Sequence, residues 1–264
     1  MKKVFVTYLG TENFLPGILV LDYSLKAHNP NAGLIVLVHK NISTGIISFL
    51  QENSFALKII DEIENPYFFE TDERGFSCMY TKLRVFELDE YDKIVYLDAD
   101  MLVCENIESL FDKPHMSAVV AGALVPENKD WEKLNAGLLV VKPDKQLFDK
   151  LVSLITILHS EAKEDQGFLH AYYDQWPGNN ELHLDHKFNV PATYLDQYCK
   201  LKDFKFSFSN ETLQTENIAV IHYWGAMKPW NFDEEEISES PDTKYYQSIN
   251  LWWNYFYKAT ENYK

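Results

Sequence analysis

Strand-like and helix-like segments alternate through the first sixty residues, and that alternation narrows the fold more than any other feature of the chain. Val4-Phe5-Val6-Thr7-Tyr8 is a short β-rich run stopped by Gly10, and Leu15 through Ala27 carries apolar residues at helical spacing. Gly33 to His39 encloses the continuous apolar run Leu34-Ile35-Val36-Leu37-Val38, the kind of strand that a parallel sheet covers on both faces. Ser43 to Asn53 reads as the next helix, with Ser43 as its cap, and Leu57 to Ile60 as a third strand. Strand, helix and strand in this order imply right-handed crossovers and a parallel sheet, so the expected class is α/β.

Beyond this region the pattern breaks. Asn65-Pro66 interrupts it, the aromatic group Tyr67-Phe68-Phe69 precedes a polar turn around Gly75, and Asp61 to Ser77 reads as a loop. Tyr80 to Leu88 is expected as a helix with Leu83 and Phe86 inward and Lys82 and Arg84 available to a ligand. It delivers the chain to Lys93-Ile94-Val95-Tyr96-Leu97-Asp98-Ala99-Asp100, an apolar strand running into two carboxylates. Further on, Asn106 to Phe111 suits a short helix, Ala118 to Ala121 and Leu138 to Val141 suit strands, and Asp144 to His159 suits a helix. Glu164-Asp165-Gln166-Gly167 opens another helix through Tyr173, where Asp165 fits either a cap or an orienting carboxylate. The rest is loop-rich apart from the strand Ala219-Val220-Ile221, which ends in His222, and an aromatic helix from Asp242 to Tyr257 expected to pack over the sheet.

Asp233-Glu234-Glu235-Glu236 reads as a solvated acidic turn. With no repeat, low-complexity linker or break in composition, residues 1–264 read as one domain, and 231–264 form an acidic turn and a C-terminal helix packed on it. A formal charge of −16 disfavours nucleic acid and anionic membranes as partners, because no basic patch offsets it. Only two arginines, Arg74 and Arg84, are present, so an anionic substrate would rely on lysines, backbone amides or a metal. Cys78, Cys104 and Cys199 are widely spaced and odd in number, which suits reduced thiols in a cytoplasmic protein. The apolar run after Met1-Lys2-Lys3 is too short for a signal peptide, and no segment has the length of a membrane span.

In an extended chain, residues i and i+2 share a side, so Asp98 and Asp100 can both reach one cation while Ala99, being small, lets another segment lie close. Two carboxylates suit Mg²⁺ or Mn²⁺, ions that grip a diphosphate; the alternative is a strand that stops in a solvated acidic turn. His222 also follows an apolar strand, and the carboxyl ends of parallel strands gather at the edge where open α/β folds bind ligands. An imidazole joining two carboxylates leaves coordination positions open and tilts the choice toward Mn²⁺, although a histidine after a strand is also commonly structural. In the string His222 to Trp230, Gly225 lets backbone amides approach a phosphate and Lys228 adds a local positive charge.

Tyr96-Leu97-Asp98-Ala99-Asp100, Asn135-Ala136-Gly137, Asp165-Gln166-Gly167 and His222 through Trp230 resemble, in this order, the motifs of the family 8 retaining glycosyltransferases, which include glycogenin and galactinol synthase. Thr81-Lys82-Leu83 and the stretch from Val4 to His28 are similar too. The resemblance implies a GT-A fold: a Rossmann-like, mainly parallel central sheet flanked by helices. It implies transfer of a hexosyl group, glucose or galactose, from a UDP-sugar to a carbohydrate, polyol or protein hydroxyl. The implied cofactor is Mn²⁺, with Mg²⁺ the other candidate, held by Asp98, Asp100 and His222. Gly225 and Lys228 would hold the diphosphate, Lys82 would sit against the donor, and Thr7, Tyr8 and Thr11 would line the uracil site with Asp98 and Ala99 near uridine. Asn135, Asp165 and Gln166 would surround the transferred sugar as the catalytic group, with Asp165 the candidate nucleophile if retention proceeds by double displacement. A homodimer is compatible with this picture.

The chain departs from the pattern it resembles at informative places. Ala162 stands where glycogenins carry a further Asp, and Asp196 stands where they carry the self-glucosylated tyrosine, with Tyr194 and Tyr198 nearby. Galactinol synthases have Gly where Ala99 stands. Arg74 is a candidate donor contact. A separate acceptor is therefore expected, with a self-glycosylating primer and a non-catalytic nucleotide-sugar-binding module as alternatives. A haloacid-dehalogenase-type phosphohydrolase also uses Asp-x-Asp at a strand end, but on its first strand and followed by Thr or Val, whereas here Met101-Leu102 follows.

Overall fold

The central strand, β1 (Lys3–Leu9), alternates its side chains between two cores: Val4 and Val6 enter one, and Phe5 enters the other. The structure is a computed structural model; it describes residues 1–66, 76–158, 164–201, 203–233, 236–237, 241–261 and 263, with the backbone alone at 76–78. β1 is flanked in parallel by β2 (Leu34–His39) and β4 (Lys93–Leu97), and β3 (Ala56–Ile60) extends the parallel set beyond β2. β6 (Leu138–Val141) closes the order β3-β2-β1-β4-β6 and runs antiparallel to β4. This is the α/β, mainly parallel sheet expected from the alternation, with helices α1 (Leu15–His28), α2 (Thr44–Glu52), α3 (Lys145–Leu154) and α4 (Asp165–Tyr172) in the flanking layers.

A second sheet lies behind the first. β5 (Met101–Val103) pairs antiparallel with β10 (Val220–His222), which pairs in parallel with the short β7 (Val190–Pro191). Between β7 and β10 come the one-turn helix α5 (Leu195–Tyr198) and a hairpin, β8 (Lys205–Ser209) and β9 (Thr212–Glu216). Its turn residues Asn210 and Glu211 both sit at positive φ, as a two-residue primed turn requires. The C-terminal helix α6 (Lys244–Thr260) packs against α1 and β8, and its Trp252 is fully buried in a cluster with Leu102, Val190 and Ile221. Tyr223 donates to the Ser248 carbonyl, tying this helix to the strand that carries His222. Among the described residues, no helix is long and apolar enough to cross a membrane.

Several sequence expectations are corrected. The segment expected as a helix from Tyr80 to Leu88 is a 3₁₀ helix, Phe76–Glu87, with Leu83 and Phe86 buried as expected. Arg84 is not turned to a ligand: it donates to the Asp61 carbonyl and pairs with Glu87. Residues 118–121 do not form a strand, because Ser117, Ala118 and Val120 make single bridges to three different partners, Val140, His183 and Leu134. Ser43 precedes α2 without a side-chain capping bond, whereas Asp144 does cap α3 through the Leu147 N–H; that helix ends at Leu154. Asn106 to Phe111 becomes the 3₁₀ helix Glu108–Asp112. Asp233 and Glu236 bond each other's backbone N–H groups, consistent with an acidic turn. Tyr67 to Gly75 with Arg74, His159, Glu161, Ala162, Glu234 and Glu235 lie outside the described residues, as does the side chain of Cys78.

Candidate metal and donor site

The site forms where β4 leaves the first sheet and β5 enters the second. The Asp98 N–H still donates to the Gly137 carbonyl, continuing the ladder between β4 and β6 by one residue. The chain then turns, and Met101 N–H donates back to the Asp98 carbonyl. Asp98 and Asp100 are thus brought together by a turn, not by the alternation of an extended strand, which corrects the sequence argument while keeping its outcome. His222 arrives for a different reason than expected as well. β10 runs antiparallel to β5 with His222 opposite Met101, and Tyr223 N–H donates to the Asp100 carbonyl, so strand register places the imidazole beside the second carboxylate. Each of Asp98, Asp100 and His222 offers one ligand atom, and these atoms all lie within 4.8 Å of one another.

Two glycines permit this convergence. A Cβ on Gly137 would stand 2.5 Å from His222 Cε1 and 2.9 Å from Met101 Cε, so only glycine leaves room for the ring. On α1, a Cβ at Gly17 would meet the Ala99 carbonyl oxygen at 2.3 Å and the Trp230 ring at 3.0 Å. Ala99 is itself buried, and the close approach anticipated at this position is that of α1.

Charges are paired tightly around the turn. Asp100 Oδ1 lies 3.3 Å from His222 Nε2, and Asp100 Oδ2 lies 2.5 Å from Lys228 Nζ, which also donates to the Tyr223 carbonyl. Burial pushes the Asp100 carboxyl up, but His222 and Lys228 together outweigh it and hold the group well below the ordinary carboxylate range. For Asp98 burial wins over the attraction of Lys82, and its carboxyl is raised. Tyr96, two residues back on the same face of β4, donates its hydroxyl to Asp98 Oδ1 at 2.7 Å.

Lys82, its side chain 11% exposed, donates to Asp98 Oδ1 at 3.3 Å and to the Ala136 carbonyl at 3.2 Å, and its ammonium is ion-paired with Asp165 Oδ2 at 2.7 Å. Burial lowers its affinity for the proton, yet Asp165 and Asp98 more than reverse this, so the group is held charged above its usual range. Lys82 therefore bridges the two acidic motifs. Asp165 is the first residue of α4, and Glu164, not Asp165, occupies the cap position. Gln166 Oε1 accepts from Ala136 N–H, which ties α4 to the Asn135-Ala136-Gly137 segment.

The remaining sequence candidates divide. Asn135 is buried, and its Oδ1 is spent on Gly137 N–H and on the Asn189 amide, so that oxygen faces the protein interior rather than a sugar. Thr7 lies in β1 fully buried, with an Oγ1 that has no hydrogen-bond partner. Tyr8 is half-buried, and Thr11 is exposed at the start of the 3₁₀ helix Glu12–Phe14. Gly225 takes φ +87°, a conformation suited to glycine, in the turn leading to Lys228. Asp196 accepts from the Lys244 and Tyr245 N–H groups and so caps α6, while Tyr198 is fully buried and its hydroxyl accepts from Leu124 N–H. Sequence reasoning gave no role to Tyr96, Gly17 or Asn189; the first two lie inside or beside quoted motifs, but nothing local signals Asn189.

Two carboxylates and an imidazole converging in a buried site are a suitable donor set for a divalent ion, and the ionised state of Asp100 favours one. Comparison with known proteins agrees with this architecture. The family model described as Glycosyl transferase family 8 matches residues 5–234. Glycogenin-1 of Mus musculus is 27% identical over 265 residues, covering 96% of this chain and 75% of its own length. Inositol phosphorylceramide glucuronosyltransferase 1 of Arabidopsis thaliana is 29% identical over 240 residues, covering 88% of this chain but only 43% of its own length. Among solved structures, the galactosyltransferase LgtC in complex with donor and acceptor sugar analogues matches with a TM-score of 0.66 at 18% identity, over 96% of this chain and 95% of that one. GlyE of Streptococcus pneumoniae matches with a TM-score of 0.62 at 20% identity, over 97% of this chain and 60% of that one. These likenesses establish the GT-A type of fold.

Proposed function

Because the chain belongs to glycosyltransferase family 8, we propose that it transfers a neutral hexosyl group, glucose or galactose, from a UDP-sugar to a separate hydroxyl acceptor with retention, using Mn²⁺. The observation that carries the reading is the convergence of Asp98, Asp100 and His222, with Lys228 on the outer oxygen of Asp100. Those three residues would hold the ion, which when bound supplies Lewis-acid charge to the departing diphosphate. Lys228 places a second positive charge beside that position and, with the backbone around Gly225, neutralises the phosphate oxygens as the anomeric bond breaks.

Asp165 is the carboxylate on the sugar side, and its pairing with Lys82 at 2.7 Å bears on its role. A carboxylate oxygen ion-paired with an ammonium is a weakened nucleophile. We therefore assign Asp165 to electrostatic support of oxocarbenium character in the sugar, which favours front-face return over double displacement. Lys82 positions Asp98 and Asp165 relative to each other, Gln166 offers the amide N–H groups left free by its bond to Ala136, and Asn135 acts from behind. Thr7 and Tyr8 at the end of β1, with Thr11, would receive the nucleoside.

The plant relative is named as a glucuronosyltransferase. A uronate donor needs a cation for its carboxylate, and among the described residues Lys82 is already paired with the two carboxylates of Asp98 and Asp165 and Arg84 is committed to Asp61 and Glu87. This favours a neutral sugar. The capping role of Asp196 favours a separate acceptor over self-priming. We further propose one catalytic unit over residues 1–264 and a cytoplasmic location, consistent with the free thiols of Cys104 and Cys199.

The test is UDP release from UDP-glucose, UDP-galactose and UDP-glucuronate with Mn²⁺. Slow hydrolytic release from one neutral donor is expected, abolished in Asp100→Ala, with no change in the protein's own mass. Metal-independent turnover, or preference for the uronate, would refute the assignment.

A further inference from the structure

Behind His222 lies a chain of three buried hydrogen bonds whose polarity can be read from one end. Gly137 N–H donates to Asn135 Oδ1 at 2.9 Å. A backbone N–H is only a donor, so the Asn135 atom in that position is the carbonyl oxygen. The same oxygen lies 2.8 Å from the Asn189 amide, which must present its NH₂ there. The other end of that amide, its oxygen, lies 2.9 Å from His222 Nδ1. An amide oxygen only accepts, so Nδ1 must carry a hydrogen. In the neutral ring Nε2 is then the nitrogen left to offer a lone pair; facing Asp100 Oδ1 at 3.3 Å, it pairs with that carboxylate only as the second N–H of an imidazolium.

We infer that Asn189 is a positioning residue that sets the tautomer and the orientation of His222, with Asn135 setting Asn189 in turn. The inference deepens the metal-site reading and rests on it only for the consequence, not for the tautomer. The chain is rigid. Asn135, Asn189 and His222 are exposed by only 6%, 3% and 5%. Asn189 immediately precedes β7, whose parallel pairing with β10 sets Pro191 opposite His222, so the amide and the imidazole are delivered by strand register. A free neutral imidazole prefers its hydrogen on Nε2, and the Asp100 carboxylate would draw it there too. Without Asn189 the nitrogen that must bind metal would be the one blocked by a proton.

The experiment is heteronuclear NMR of the full chain labelled with ¹⁵N-histidine, metal-free and with Mg²⁺, alongside titration with Mn²⁺ followed by electron paramagnetic resonance. In the wild type, His222 Nδ1 is expected to be an N–H nitrogen in both metal states. In Asn189→Leu the hydrogen moves to Nε2, and Mn²⁺ binding weakens by roughly ten- to a hundredfold. Asn189→Asp keeps an acceptor facing Nδ1 and is expected to retain the Nδ1–H form while losing the donation to Asn135 Oδ1. A wild-type Nδ1 that is a bare nitrogen overturns the inference whatever the variants do, as does an unchanged tautomer in folded Asn189→Leu. If the wild type shows the Nδ1–H form but binds no Mn²⁺, the positioning role of Asn189 stands and the metal-site reading alone is lost.

Discussion

Replacing Gly137 with alanine adds one carbon at the most crowded point of the site. The new Cβ would lie 2.5 Å from His222 Cε1, 2.9 Å from Met101 Cε and 3.0 Å from Asn135 Oδ1. Carbon atoms rest about 3.5–4.0 Å apart, so the imidazole must retreat by roughly 1 Å or more. Gly137 is not among the residues at positive φ, so the backbone itself accepts alanine and the effect is steric. Cε1 sits between the two ring nitrogens, and any displacement of it moves both. The 2.9 Å bond from Nδ1 to Asn189 would stretch out of hydrogen-bonding range, and Nε2 would leave its place beside Asp100. Overpacking of this kind costs about 1–3 kcal/mol of stability. Disturbing the orientation of a metal-binding histidine weakens the metal by roughly ten- to a hundredfold. Both are measurable, by urea unfolding and by Mn²⁺ titration. Gly45→Ala, in the first turn of α2 with nothing within 4 Å of the new carbon, serves as the control and should unfold with the wild type or slightly later. Wild-type stability together with Mn²⁺ affinity within twofold in Gly137→Ala would show that the His222 pocket has slack, and the geometric account of the site would fail.

Two further outcomes follow from other parts of the fold. Burial, together with Lys93 and Lys142, brings the His115 imidazole down to about 4, while its Nδ1 accepts from Lys142 N–H. The folded value lies below the unfolded value of about 6.5, so this residue's contribution is full above that pH and is lost as pH falls toward 4, by up to ~3 kcal/mol. Urea midpoints between pH 7.5 and 5.0 should therefore fall less steeply in His115→Gln than in the wild type, and equal slopes would exclude the role. Gly17→Ala drives a carbon against the Ala99 carbonyl oxygen and Trp230, and should lower stability by about 1–3 kcal/mol and weaken Mn²⁺ by shifting the turn at residues 98–100; an unchanged melting temperature with unchanged binding would contradict it.

Much of this architecture is legible along the chain because it depends on short-range periodicity. The run Leu34 to Val38 is apolar at every position and becomes a strand covered on both faces, and Leu15 to Ala27 becomes α1 almost to the residue. Periodicity failed where neighbours decide the backbone. Ala118 to Ala121 has strand composition but meets three unrelated partners in succession, so no ladder can propagate. The segment around Tyr80 has helical spacing yet winds as a 3₁₀ helix.

The candidate site divides along the same line. Asp98, Asp100 and His222 announce themselves as ligand types at the ends of apolar runs, and the ordered motifs around them mark the family. By itself, the sequence determined the α/β class, the family and the chemical identity of the acidic cluster. Only the tertiary structure decided that a turn and an antiparallel pairing, not strand alternation and a shared parallel edge, bring the three ligands together. It also decided that Lys82 bridges Asp98 and Asp165, and that Asn189 stands behind His222. The bonds of Asn189 to His222 and to Asn135 join residues 33 and 54 positions apart, set by strand register, and the ring's place depends on the absence of a Cβ at Gly137. Burial and helical or strand periodicity are properties of neighbours in the chain, whereas donor and acceptor pairing inside a packed core is settled only once distant strands have met.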